Sequence, residues 1–129
     1  MKINKSNSLI LTIMIAAGMI LAGCTASAEP AELLDEEAAR GKRVFSDHCA
    51  ACHAISGETV IVGPSLAGIS SRGGERIEGY TNLEYISESI MKPEAYLVEG
   101  YNNLMPAEFG LKLSGEEFDA LVAYLLTLD

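Results

Sequence analysis

The stretch that decides the fold is Cys49-Ala50-Ala51-Cys52-His53, in a chain of 129 residues. Two cysteines three positions apart on one turn can each bond a vinyl group of haem, while the histidine that follows can ligate the iron. This spacing is the attachment signature of c-type haem. We therefore expect one haem c, attached covalently through Cys49 and Cys52, with His53 as an axial ligand of the iron.

Two other chemistries use a cysteine pair of this spacing. A redox disulfide of thioredoxin type would follow β-branched strands, whereas an amphipathic helical pattern precedes this pair. A zinc site would need a second pair of ligands, but the chain offers only one other histidine, His48, and no cysteine after the motif. His48 lies directly before the first motif cysteine, and we expect it at the surface or behind the iron ligands.

The first residues are typical of a bacterial export signal. Two lysines precede the apolar stretch 9–22, which covers about 21 Å as a helix and is too short for a hydrocarbon core of ~30 Å. The stretch ends in the sequence LAGC at residues 21–24, which resembles a lipobox. We therefore expect residues 1–23 to be a lipoprotein signal peptide and Cys24 to carry the lipid.

A second cleavage pattern, Ala26-Ser27-Ala28, would instead release a soluble protein that begins at Glu29. The lipobox is favoured because it gives Cys24 a role, whereas an unmodified Cys24 would be an odd, exposed thiol in an exported protein. Residues 24–34 are small and acidic around one proline and have no apolar period. We expect them to form a flexible tether between the lipid and a single domain, residues 35–129.

The charge balance argues against nucleic acid as a partner. The chain has 18 acidic and nine basic residues, for a formal charge of −9, and loss of a leader whose only charges are two lysines makes it −11. A protein this acidic repels phosphate groups. We expect redox proteins of a membrane as partners, with basic or largely apolar docking faces.

Three helical segments and no alternating strand pattern predict an all-α fold. The first helix runs from about Asp35 into the haem motif, with Gly41 and Phe45 on one face, and the glycine permits another helix to approach closely. The middle helix begins with a capping box at Thr81 and ends before Pro93. A second capping box, at Ser114, begins the last helix. In the middle helix we expect Leu83, Ile86 and Ile90 to be buried.

Residues 35–129 resemble a class I monohaem cytochrome c. Besides the haem motif, the matching features are Gly41, Phe45, the stretches Gly63-Pro64-Ser65-Leu66 and Leu104-Met105-Pro106, and Tyr124. The resemblance implies a small fold of three to four helices wrapped around one covalently attached haem. It also implies Met105 as the second axial ligand, a Pro64 carbonyl that faces the proximal histidine, and a glycine–aromatic contact where the first and last helices cross.

The stretch from Ser89 to Met105 is similar in particular to the cytochrome c domains fused to subunit II of some haem-copper oxidases. Only Met91 and Met105 lie outside the leader, and Met91 falls near the end of a predicted helix, where a methionine usually fills the core. Pro106 biases Met105 towards an extended backbone, which helps to hold its sulfur over the iron. A soft, neutral sulfur ligand favours Fe(II).

The remaining expectations concern the rim of the haem site. Pro64, Leu66 and Pro106 are expected to support the haem pocket. The glycine-rich segment 70–79 is either a solvated loop or the source of a propionate contact, through Arg72 or Tyr80. Five small or apolar residues around the haem edge would suit a shallow docking patch: Ala50, Ala51, Ile55, Met105 and Pro106.

The function predicted from these residues is one-electron transfer outside the cytoplasm, in a respiratory or photosynthetic chain, by a protein that converts no substrate of its own. A first alternative is a fixed haem subunit of a larger membrane redox complex. A second alternative is a ligand-sensing or peroxidase-like haem protein with an open iron. The chain disfavours the second alternative because no histidine follows the motif to act as an acid–base group towards peroxide.

Overall fold

A computed structural model describes the backbone of residues 30–129 and the side chains from residue 35 onward. Five helices follow one another: α1, Pro30–His48; α2, Ile69–Arg72; α3, Asn82–Met91; α4, Phe109–Lys112; and α5, Gly115–Leu125. A 3₁₀ turn, Gly74–Arg76, connects α2 to α3. The described part of the chain contains no strand, and the all-α prediction is confirmed. The signal peptide and Cys24 lie outside the described residues.

Helix α1 begins at Pro30 rather than at about Asp35. Proline suits the first position of a helix, since its missing N–H would have no partner there and its fixed φ is already helical. Strong helix formers follow it. Residues 30–34, predicted as part of the flexible tether, therefore belong to the helix, and the proline was the signal that the sequence offered for this start. The rest of the tether lies outside the described residues.

The two helices at the ends of the domain, α1 and α5, cross at a glycine. A Cβ at position 41 would overlap the carbonyl oxygen of Ala120, so only glycine allows this approach. One turn further along α1, the ring of Phe45 packs against the ring of Tyr124 at a centroid distance of 5.7 Å. The structure thus places Gly41, Phe45 and Tyr124 together at the crossing, and the turn after α1 starts from this fixed point.

The middle helix, α3, supplies much of the core. Both capping boxes are confirmed: the Thr81 and Ser114 side chains accept from the backbone N–H three residues on, and glutamate side chains accept in return from the two cap residues. Ile86 and Ile90 are buried as predicted. The prediction for Leu83 is wrong, because its side chain is 51% exposed. Leu83 lies in the first turn, about 10 Å along the axis from Ile90, and Tyr85 fills the core at this end instead.

Candidate functional site

One deep cavity lies between the turn after α1, helix α3 and the long loop before α4. Its walls include residues from the stretches 48–53, 62–66 and 93–106, from one face of α3, and Leu121 and Leu125 of α5. Aliphatic and aromatic side chains predominate, and the lining described here includes no aspartate, glutamate or lysine. Such a cavity is suited to a large, flat, apolar ligand.

The haem motif forms the turn that closes α1. The Cys49 N–H donates to the Phe45 carbonyl oxygen (N···O 2.8 Å), which continues the helical pattern, and the N–H groups of Cys52 and His53 both donate to the Cys49 carbonyl oxygen at 3.0 and 2.9 Å. This tight winding brings Cys49, Cys52 and His53 to one wall of the cavity. The three residues that the sequence singled out are therefore neighbours in space.

The two cysteine thiols are free of each other and differ in environment. Cys49 is half-buried and Cys52 is exposed. Burial, and secondarily the negative charge of a Cys52 thiolate, raises the pKa of Cys49 to about 11. A thiol used for redox exchange needs a lowered pKa to supply its thiolate at neutral pH. The environment of Cys49 therefore does not favour the thioredoxin-type alternative. No cluster of three or more metal-ligating side chains occurs in the described part of the chain either.

The His53 ring is fixed by a backbone carbonyl. Its Nδ1 lies 2.9 Å from the Pro64 oxygen, and because a carbonyl can only accept, Nδ1 carries the proton and donates. In the neutral ring this leaves the lone pair on the other nitrogen, Nε2, which is the form that binds a metal. This is the Pro64 contact that the family resemblance implies.

Gly63 gives the His53 ring its space. A Cβ at position 63 would collide with Cε1 of the ring and lie 2.9 Å from Nδ1. The N–H groups of Val62 and Gly63 also donate to the Cys52 carbonyl oxygen, at 3.2 and 2.9 Å. The loop therefore lies flat against the haem motif, and only a glycine permits it. The sequence analysis named Gly63 only as part of a short motif and did not predict its contact with the His53 ring.

Met105 and Pro106 both line the cavity, and Met105 is half-buried. Met91 does not line it: this side chain is 40% exposed, at the end of α3, and its sulfur lies beside Gly110 of α4. Met91 therefore covers a helix–helix contact at the surface rather than filling the core, because α4 is a single short turn that leaves it partly open.

Arg72 and Tyr80 lie outside the cavity lining. Arg72 donates through Nε to the Ala67 carbonyl oxygen at 2.9 Å and through a terminal nitrogen to the Ser65 carbonyl oxygen at 2.6 Å. These two hydrogen bonds hold the loop that contains Ser65 and Ala67 in place behind the cavity wall. The hydroxyl of Tyr80 donates to the Glu88 carboxylate at 2.6 Å. The structure thus brings neither of the two predicted propionate contacts to the cavity.

A different arginine lines the cavity. Arg76, in the 3₁₀ turn, is the sole arginine of the lining described here, and its guanidinium lies 5.9 Å from the centre of the Tyr85 ring. The sequence placed both arginines in the same glycine-rich segment. The sequence could not show which of the two arginines faces the cavity, because that depends on where the 3₁₀ turn ends. Leu66 and Pro64, predicted as pocket support, do line the cavity.

The predicted docking residues are not equally accessible. Ala50, Ala51 and Pro106 are exposed, Met105 is half-buried, and Ile55 packs against the edge of the core. His48 is exposed, lies at the cavity wall and packs its ring edge-on against Phe109, with 6.1 Å between centroids. Its position agrees with the expectation of a surface residue.

Comparison with known proteins agrees with the geometry. Residues 38–129 match the family described as Cytochrome c. The chain belongs to this family. A protein named Cytochrome c6-like, from Nostoc sp. (strain PCC 7120), is 31% identical over 91 residues, which cover 70% of this chain and 70% of the relative. The match with the family includes every residue of the cavity wall.

Membership of the cytochrome c family makes this chain a c-type haem protein and an electron carrier. The cavity fits the cofactor. The two cysteines lie on its wall beside a histidine whose Nε2 is free to ligate, and the apolar lining matches the faces of a porphyrin. The absence of carboxylates from the described lining suits a ligand that itself bears two carboxylates. The cofactor prediction is confirmed.

Proposed function

We propose that this cytochrome carries one electron at a time through a haem iron held between His53 and Met105, outside the cytoplasm, on a lipid anchor at Cys24. The observation that carries the ligand assignment is that Met105 lines the same cavity as His53, while Met91, the other methionine beyond the leader, does not. The name of the Nostoc relative supports the electron-carrier assignment.

The roles of the protein groups follow from their contacts. When bound, haem supplies an iron that can take up and release one electron. Pro64 holds His53 by its ring N–H, which fixes the tautomer and makes Nε2 a better donor to iron. Pro106 restricts the backbone of Met105, so less freedom is lost when the sulfur is held in place. The apolar walls exclude water, so little solvent must reorganise when the charge changes.

The experiment that tests the ligands is an absorption spectrum of the oxidised and reduced holoprotein, with Met105→Ala and Met91→Leu as a matched pair. We expect the wild type and Met91→Leu to show the weak long-wavelength sulfur-to-iron band and to bind carbon monoxide poorly. Met105→Ala should lose the band and bind carbon monoxide readily, since it lacks the sixth ligand. A wild type that already binds carbon monoxide and lacks the band would replace this proposal with an open iron and ligand or peroxide chemistry.

The anchor and the location rest on the leader sequence. Among the described residues, no helix is long and apolar enough to cross a membrane. Intact mass of the mature protein tests the lipid anchor: a chain that begins at Cys24 and carries acyl groups supports the proposal. A chain that begins at Glu29 with no added mass contradicts it and makes the protein a soluble carrier.

The acidic charge predicts the kind of partner. With a formal charge of −9 for the whole chain, an electron-transfer partner with a basic docking face would be steered towards this protein. We expect the bimolecular rate with such a partner to fall as ionic strength rises, because salt screens the attraction. A rate that rises with salt would indicate an acidic partner instead.

Size analysis after extraction with mild detergent distinguishes the carrier from the alternative of a fixed subunit. A mobile carrier should elute at its own small mass, and a fixed subunit at the mass of the complex.

A further inference from the structure

Three consecutive β-branched side chains, Val60, Ile61 and Val62, lie on the surface beside the haem motif. Their side chains are 60%, 50% and 46% exposed. We call these residues the Val60–Val62 strip. Apolar residues that are exposed singly are ordinary, whereas a group of exposed apolar side chains is one mark of an interaction site. The strip therefore requires an explanation that the core does not supply.

Haem in the cavity does not account for the strip. Val62 is part of the cavity lining, so a bound ligand would cover some of it, but Val60 and Ile61 are outside that lining. Leu97 and Leu104, which are also exposed, do line the cavity. The exposure of Val60 and Ile61 is thus a property of the holoprotein surface, and the strip extends outward from the rim of the haem site.

The strip is held rigidly against the haem motif. A β-bridge pairs Val60 with His53, and the Val62 N–H donates to the Cys52 carbonyl oxygen at 3.2 Å. Across the base of the loop, the Ser65 hydroxyl donates to the Gly57 carbonyl oxygen at 2.6 Å. A partner that contacts the strip therefore contacts a backbone bonded directly to the residues that attach the haem, and it finds that surface already ordered, which lowers the cost of binding.

The charged residues nearest to the strip in the sequence indicate what kind of surface it meets. From residue 44 to residue 71 the chain has no lysine or arginine, while Asp47 and Glu58 are both present and exposed. The apolar strip therefore lies in a segment whose charged side chains are acidic. A complementary surface is apolar at its centre and basic at its rim.

We propose that the Val60–Val62 strip is the contact surface for a redox partner whose docking face is apolar and edged with basic side chains. The proposal rests on the electron-carrier function and adds the place of docking. Three side chains are enough for the purpose, because electron-transfer encounters are small and short-lived. The strip lies beside the docking patch expected from the sequence and adds the larger exposed apolar side chains that Ala50 and Ala51 lack.

The test uses a matched pair of variants, Ile61→Ser and Leu111→Ser. Leu111 is 77% exposed, on α4, and is not part of the cavity lining. Both changes remove an exposed aliphatic side chain of the same size, and neither residue is part of the cavity lining. The probe is mitochondrial cytochrome c with zinc in place of iron, which presents a lysine-ringed haem edge and, when excited by a laser flash, donates one electron to the ferric iron of this protein.

We expect Ile61→Ser to lower the bimolecular rate of this electron transfer about tenfold, the effect of losing one large apolar contact. Leu111→Ser should leave the rate unchanged. Neither variant should change the midpoint potential or the rate of reduction by a small neutral hydroquinone, because neither alters the iron. Equal rates for the two variants, or a shifted potential in Ile61→Ser, would overturn the proposal.

Two further measurements separate this proposal from its competitors. If the strip instead rested on lipid, Ile61→Ser would weaken binding of the unlipidated domain to phosphatidylcholine vesicles and leave the flash-induced rate unchanged, which would also overturn it. The ligand assignment is judged apart from both, by the sulfur-to-iron band of the wild type. A wild type without that band contradicts the proposed function. A wild type that shows the band, with no loss of rate in Ile61→Ser, contradicts only the proposed docking surface.

Discussion

The segment that carries His53 and the segment that carries Met105 are held in different ways. Around His53, hydrogen bonds join residues ten or more positions apart, including His53 Nδ1 to the Pro64 carbonyl oxygen and the Leu66 N–H to the Ala54 carbonyl oxygen. Within residues 93–109, the backbone hydrogen bonds join residues two or three positions apart, as in Tyr101 to Val98 and Phe109 to Pro106.

The difference teaches where the haem site is built in advance. Local turns shape the methionine segment but do not bind it to the rest of the chain, whereas the histidine loop is bonded directly to the motif. What connects the methionine segment to the core is side-chain packing, such as the Tyr96 ring on Tyr85 at 5.9 Å. Long-range hydrogen bonds thus position His53, whereas side-chain packing positions the segment that carries Met105.

The largest effect is expected where the rigid segment is broken, at Gly63→Ala. The added methyl group would collide with the His53 ring, so the ring or the loop must move and the contact with Pro64 must weaken. Overpacking of this kind typically costs about 1–3 kcal/mol. We expect a lower free energy of unfolding in denaturant titrations of the holoprotein, with a changed midpoint potential because the donor strength of His53 falls.

The matched control is Gly115→Ala, at the start of α5, where a Cβ meets nothing within 4 Å. Its φ is outside the left-handed region, so alanine should be neutral or stabilise by up to about 1 kcal/mol. If the two variants lose the same stability, the His53 ring has room to spare and the histidine segment is less rigid than its contacts indicate.

The same contrast explains how much the sequence could predict. The haem motif and the two capping boxes depend on residues close together in the chain, so local patterns were enough. Gly41 alone predicted a close approach by another helix, and the family resemblance implied that this helix is the last one. Arg76 could not be found, because one turn of backbone decides whether it or Arg72 faces inward. Nor could the exposed strip, since a run of β-branched residues predicts a buried segment as readily as a surface one.

A smaller effect is expected when the two arginines are compared, because one serves the loop behind the histidine and the other lines the cavity. Arg76→Gln removes the positive charge in the lining, and a cation near the iron favours Fe(II). We expect its midpoint potential to fall, because loss of a nearby cation makes the more positive Fe(III) state relatively more stable, with little change in the free energy of unfolding.

Arg72→Gln should behave in the opposite manner. Its guanidinium donates to the backbone at Ser65 and Ala67, and loss of such a bond typically costs about 0.5–1.5 kcal/mol. We expect it to lower the midpoint of thermal unfolding while the potential stays close to that of the wild type. A larger shift of potential in Arg72→Gln than in Arg76→Gln would indicate that Arg72, not Arg76, is the arginine that senses the haem.

The smallest effect is expected outside both segments, at the cap of α5. The backbone N–H and hydroxyl of Ser114 donate to the Glu117 carboxylate, at 2.8 Å each, and hold its pKa below the ordinary 4.5. The ionised form is thus favoured in the folded protein, so its contribution is fully present above pH 4.5 and is lost as the pH falls through the lowered value. Glu117→Gln should therefore be slightly less stable than wild type at pH 7, and the two unfolding curves should converge in acid.

Glu116→Gln, next to the capping box, serves as the control and should follow the wild type. The site is exposed, so added salt should narrow the difference, and a difference that persisted unchanged in acid would mean that the cap acts through the shape of the side chain and not through its charge.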